Sequence, residues 1–196
     1  GQARLNAYLD DYAFLLDALL ELLQAEFRPQ DLAFAQDLAQ RLLSQFEDPE
    51  QGGFFFTSHD HEALIHRPKP GLDQATPSGN GVAAYALQRL GHVLGEARYL
   101  QAAERALHLF YPYLAQQPAG YTSLSMALDE QLAPPDVVIL RGPAGDVAAW
   151  QQALAREYLP RILVFGLPNE LENLPAALAK PRSDRISAWL CRGVQC

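Results

Sequence analysis

The pattern that most limits what this chain can become is an apolar repeat of three and four residues running through its first two-thirds. In LNAYLDDYAFLLDALLELLQAEF, Leu5, Tyr8, Leu9, Tyr12, Leu15, Leu16, Leu19, Leu22 and Leu23 recur at that spacing, the period of an amphipathic helix. Arg28-Pro29 ends the run. DLAFAQDLAQRLLSQF starts a second helix with Leu32, Ala35, Leu38, Ala39, Leu42 and Phe46 turned inward. GVAAYALQRLGHVLG and ARYLQAAERALHLFYPYL repeat the arrangement, with Pro112 and Pro118 read as the stop. The two pairs align at an offset of 68 residues, which sets Leu32 on Leu100, Ala35 on Ala103, Leu42 on Phe110 and Phe46 on Leu114. GYTSLSMALDEQL supplies one more helix. The expectation is an array of αα-hairpins over residues 1–133.

Beyond Pro134-Pro135 the texture changes. PPDVVILRGPAGDVAAWQQALAREYLPRILVFGLP reads as a buried strand from Val137 to Leu140, a Gly-Pro turn, an amphipathic helix and a second strand from Ile162 to Phe165. ISAWLC suggests a third strand. Residues 134–196 are therefore expected to form a small α/β lobe of βαβ type, and the fold class is mainly α. Between the helical pairs lies a segment rich in Gly, Pro and Asp. Within it Phe54 to Thr57 and Ala63 to Ile65 are read as a short hairpin.

Charge narrows the partners. With 15 Lys and Arg against 23 Asp and Glu the net charge is −8, which disfavours nucleic acid and anionic membrane surfaces. YAFLLDALLELL is broken by Asp17 and Glu21, so no spanning helix is expected, and no signal peptide is read at the start. Two cysteines, Cys191 and Cys196, cannot build a secreted disulfide framework, which favours a reducing cytoplasm.

The stretch DQATPSGNG, residues 73–81, raises the sharpest chemical question. Thr76 or Ser78 can cap a helix and Pro77 suits its first turn, yet Gly79 and Gly81 follow, each costing roughly 1 kcal/mol against alanine. Either the bare first-turn amides receive a ligand, with Asp73, Ser78 and Asn80 around the opening, or the glycines admit a neighbouring helix. The second reading accounts for the glycines but less well for Asn80. Asp10 and Asp11 precede the first apolar face; adjacent helical residues point about 100° apart, so only Asp11, beside Tyr12, is taken as a site residue. His59, His61 and His66 lack a completing ligand at metal-site spacing, and RGPAGD lacks the spacing of a dinucleotide loop. Neither a metal nor a cofactor is expected, and Gly142 to Gly145 reads as a tight strand-to-helix turn. Cys191 and Cys196 stand four residues apart rather than two and are read as inert or adventitiously oxidised.

YLDDYAFLLDALLEL, DPEQGGFFFTSHD, HRPKPGLDQATPSGNGVAAYALQRL and the closing AWLCRGVQC together resemble the C-terminal half of the spermatogenesis-associated, thioredoxin-like protein family. The matching positions are Asp11, Tyr12, Gly52, Gly53, Phe55, Arg67, Asp73, Pro77, Ser78, Gly79 and Asn80; Gly81 departs from a pattern that more often has serine. The resemblance implies part of an α/α toroid similar to six-hairpin glycosidases, although this chain has too few helices to close one. It further implies a carbohydrate-binding or carbohydrate-processing cleft in which, if it is catalytic, Asp11 and Asp73 are the acid/base candidates. Tyr12, Phe55, Arg67, Ser78, Gly79 and Asn80 would bind substrate, Arg67 holding an anion and Ser78 and Asn80 orienting hydroxyls. The alternative is a non-enzymatic helical scaffold accompanying a thioredoxin-like domain, associating with itself or another chain through an exposed helical face.

Overall fold

The computed structural model describes residues 6–62 and 64–193 of the chain. Six α-helices and three strands occur in the order α1 (Leu9–Ala25), α2 (Pro29–Arg41), α3 (Gly79–Leu94), α4 (Ala97–Gln116), α5 (Thr122–Leu132), β1 (Asp136–Gly142), α6 (Ala144–Leu154), β2 (Ile162–Pro168) and β3 (Ser187–Arg192). The chain is mainly helical with one small mixed sheet. The repeat seen in the sequence is real in register: α2 and α4 start at Pro29 and Ala97, 68 residues apart.

Helices α1, α3 and α5 stand side by side and run parallel. Leu9 and Asp10 meet Gly79 at one end, Glu21 pairs with Arg89 further along, and from α5 Ser123 meets Gly81 while Glu130 meets Arg89. Behind this row α4 returns antiparallel to α3, with Leu100 against Gly91 and Phe110 near Gly53 and Asn80. Helix α2 packs on α1 and reaches α4 through Arg98 and Gln40. Because α3 is flanked on three sides, nearly all its faces are buried, and Ala83, Ala84 and Ala86 keep the neighbouring axes close. Between α4 and α5, Leu107, Tyr111, Leu128 and Leu132 line an apolar surface groove.

One expectation about breakers needs correcting. Pro112 does not stop α4, which continues to Gln116; the proline sits on an exposed side of the helix, the place where a missing backbone donor is tolerated best. Helix α2 passes at Leu42 into a π-helical turn ending at Phe46, a widening that still buries both residues.

The hairpin expected over residues 54–65 is also absent. Phe54 makes an isolated bridge to Glu47, and the amide of Phe56 donates to the carbonyl of Pro68 instead (2.8 Å). Ala63 lies outside the described residues. The segment reverses at Gly52 and Gly53, whose φ angles of 81° and 74° favour glycine. It is fastened by Lys69, whose ammonium reaches Asp48 Oδ2 (2.8 Å) and the carbonyl of Gly52 (2.9 Å).

In the C-terminal segment the strands fall where the sequence placed them, in spatial order β2-β1-β3. Strands β1 and β2 are parallel with Ile139 opposite Phe165, joined through α6; β3 pairs antiparallel with β1, Trp189 opposite Ile139. Pro143 makes the tight turn after Gly142. The sheet is docked on α1: Phe27 meets the ring of Phe165 edge-on at 6.3 Å, and Gln24 accepts from the β2 amide of Val164 (3.2 Å). Cys191 is buried on β3 and is not a free thiol; Cys196 lies outside the described residues. Among the described residues no helix is long and apolar enough to cross a membrane.

Candidate functional site

Asp73 organises the front of the helical row. Its Oδ1 accepts from the amide of Ser78 (2.8 Å) and the hydroxyl of Ser123, and its Oδ2 accepts from the amide of Ser123 (2.8 Å). One carboxylate thus satisfies first-turn donors of both α3 and α5, where the helix dipoles favour a negative charge. Burial alone would raise its pKa, but the donors from Ser123, Ser78 and Thr122 outweigh it and hold the carboxyl below the usual range. Ser78 caps α3 as expected, its Oγ accepting from the amide of Gly81 (3.1 Å).

Above this anchor lies a cleft of about 470 Å³. Its walls come from α1 (Asp17), the 73–77 loop, α3 (Gly81, Val82, Tyr85) and the start of α5 (Thr122, Ser123, Met126). Burial pushes the Asp17 carboxyl up, Glu21 adds to the rise and Arg89 opposes it; one of its oxygens is buried with no hydrogen-bond partner. Burial and the nearby Glu130 push the Tyr85 phenol up, so it stays protonated. Behind Tyr85 the Arg89 guanidinium lies 4.1 Å from the ring centroid and pairs with Glu130 (3.0 Å) and Glu21 (2.7 Å). The cleft therefore combines two carboxylates in different environments, several hydroxyls, one aromatic face and a thioether.

The residues expected to act together are divided among three places. Asp73 lines this cleft and Ser78 sits beneath it. Asp11 and Tyr12 line a different, shallower cleft of about 330 Å³ with Leu15, Phe34, Asp37 and Arg41. Asp11 and Asp17 are six residues apart on α1, which sets them about 120° apart around the helix, and the two carboxylates line different clefts. Asp11 and Asp73 consequently do not flank one site. Asp11 Oδ2 instead accepts from the amide of Tyr8 (2.8 Å) and closes the start of α1. Phe55 and Arg67 form a third group: the guanidinium lies 4.2 Å over the Phe55 ring and donates to the carbonyl of Thr57, away from the cleft.

Asn80 and the two glycines all serve packing, which for the glycines is the second of the two readings of this stretch. Asn80 is fully buried; its Oδ1 accepts from the amide of Phe54 (2.7 Å), and its Nδ2 donates to the carbonyls of Phe54 (2.9 Å) and Pro70 (2.8 Å). A carboxamide presents a donor and an acceptor together, so it pairs with Phe54 as a neighbouring strand would and staples the 47–72 segment to α3. It has no free group for a hydroxyl in the cleft. Gly79 and Gly81 are there for close approach. A Cβ on Gly79 would run into Asp10 and Leu9, and one on Gly81 into Ser123.

Sequence reasoning does not place Asp17, Tyr85, Thr122, Ser123 or Met126 in the cleft they line. One signal was present: Asp17 and Glu21 interrupt the most apolar helix at a spacing of four, which sets both on one face, and Glu21 lies 68 residues before Arg89, the offset of the helical repeat. Among the described residues no group of three His, Cys, Asp or Glu could hold a metal ion. His59 stands beside Arg67 and His61 beside Tyr8.

No protein-family model matches the chain. It is 28% identical over 198 residues to spermatogenesis-associated protein 20 of Homo sapiens, a match covering 96% of this chain and 25% of that protein. The protein of the same name from Rattus norvegicus is 30% identical over 171 residues, covering 83% of this chain and 21% of its own length. Uncharacterized protein B0495.5 of Caenorhabditis elegans is 24% identical over 202 residues, covering 100% and 27%. The chain spans about a quarter of the length of these curated relatives. Similarity running through nearly the whole chain to proteins named spermatogenesis-associated protein 20 supports the family that the 67–80 segment and the closing residues resemble.

Proposed function

We propose that the front cleft binds a small carbohydrate, in a row of helices that forms part of an α/α toroid. The observation behind this reading is the grouping of Asp17, Asp73, Thr76, Thr122 and Tyr85 around one concavity of about 470 Å³, within the size range of small-ligand sites. A sugar offers hydroxyl donors to carboxylates and an apolar C–H face to an aromatic ring, and this wall has both kinds of partner. Within this reading Asp17 is the group suited to hold or give up a proton, its carboxyl being raised, while Asp73 is a fixed, ionised acceptor.

The test is a thermal-shift screen of the 196-residue chain against mono- and disaccharides, with Met126→Trp as a blocked cleft. Met126 is 53% exposed at the rim, so a larger ring fills the opening without entering the core. For a binding sugar at ten times its Kd the midpoint should rise by about 3–6 °C in the wild type, and not in the variant. No shift with any saccharide, or equal shifts in both proteins, would remove the reading.

A further inference from the structure

The charges around the cleft are one-sided. Its ionisable lining residues are the carboxylates Asp17 and Asp73 and the phenol Tyr85, with no Lys, Arg or His among them. The nearest cation in the row, Arg89, is 7% exposed and already shared between Glu130 and Glu21, with the Tyr85 ring over it. Arg67, the residue expected to hold an anion, is committed to Thr57 and Phe55. The starts of α3 and α5, which otherwise attract anions, are occupied by Asp73. An anionic ligand would thus lose its hydration and meet two carboxylates without gaining a cationic partner.

From this we infer that the cleft selects by charge: it excludes acidic and phosphorylated sugars and takes a polyhydroxylated ligand that is neutral or carries an ammonium group, with Asp17 as the selecting residue. The inference rests on the carbohydrate reading above. Asp73 contributes less to selection because two helix starts already balance it. Asp17 is balanced by Arg89 alone, against which Glu21 works, and one of its oxygens is buried with no hydrogen-bond partner, so an ammonium group beside it supplies the positive charge that Arg89, shared with Glu130, gives only in part.

Titrations at pH 7 and low salt with glucosamine, glucose and glucuronate test this. Glucosamine should bind about ten-fold or more tightly than glucuronate, with glucose between them. In Asp17→Asn the ratio should fall to about two-fold, and added salt should narrow it in the wild type, a readout independent of whether the variant folds. Glucuronate binding as tightly as glucosamine, or a ratio unmoved by both Asp17→Asn and salt, overturns the inference while leaving a sugar site intact. The non-sugar pair serinol and glycerate separates the two failures. If none of the sugars binds but serinol outcompetes glycerate, the carbohydrate reading fails and charge selection stands; if serinol and glycerate bind equally or neither binds, charge selection fails too.

Discussion

Gly81→Ala should destabilise the protein by about 2–3 kcal/mol, although helix propensity alone predicts a gain of roughly 1 kcal/mol. The added Cβ would collide with Ser123 Oγ and lie 2.6 Å from Ser123 Cβ and 2.9 Å from the Leu124 amide nitrogen. The hydroxyl can rotate away only by giving up its bond to Asp73; the other two atoms belong to the α5 frame and cannot. Gly145→Ala is the internal control. Gly145 also lies in the first turn of a helix, α6, but nothing stands within 4 Å of where its Cβ would be. That change should be neutral or stabilise by up to about 1 kcal/mol. Urea unfolding of both variants decides the point: Gly81→Ala at least as stable as wild type would mean that α3 and α5 are not in the contact described.

Arg89→Leu should be the most damaging single change on the front face. Its guanidinium joins α1, α3 and α5 through Glu21, Tyr85 and Glu130. Burial alone would lower its pKa, but the Glu130 carboxylate keeps it charged; burial also pushes Glu130 up, and Arg89 pulls it back only in part. Breaking a buried pair costs about 3–5 kcal/mol, on the order of 10 °C for a chain of this length. The Glu21 contact adds little, since that carboxylate is 58% exposed. Without Arg89 the folded-state pKa of Glu130 rises further above its unfolded value. Its cost is then fully present above that folded pKa and fades as pH falls through it, because the native form takes up the proton. The gap to wild type should therefore narrow as pH falls from neutral toward the ordinary carboxylate range. Arg89→Leu combined with Glu130→Leu should recover much of the loss. A gap independent of pH, or no recovery in the double variant, would show that Arg89 acts through packing on Tyr85 alone.

What could be read from sequence follows the range of the physics involved. Helix faces and strands are local patterns, and α2, α4, β1 and β2 stand where the periodicity set them. The 68-residue offset even extends to the Glu21–Arg89 pair. Asp73 was recognised as belonging to a special segment, but its second helix, α5, begins some 50 residues later, and nothing local announces that both starts meet on one carboxylate. Asn80 was misread for a related reason. A polar residue in a helix's first turn looks like a ligand group until its partner backbone at Phe54 is known. Arg67 likewise appears free in sequence and is spent on Thr57 and Phe55 in the fold. Asp17 reads in sequence only as a break in an apolar run, because its environment is made by Tyr85 and Arg89 from another helix.

Binding of ligand between α1, α3 and α5 can be mapped by amide chemical shifts during titration with a neutral or amino sugar. Perturbations should gather at Asp17, Thr76, Val82, Tyr85, Thr122 and Met126, all lining the front cleft. Amides of Asp11, Phe34 and Arg41, around the second cleft, should stay still. Shifts gathered at that second cleft, or none at saturating sugar, would contradict it.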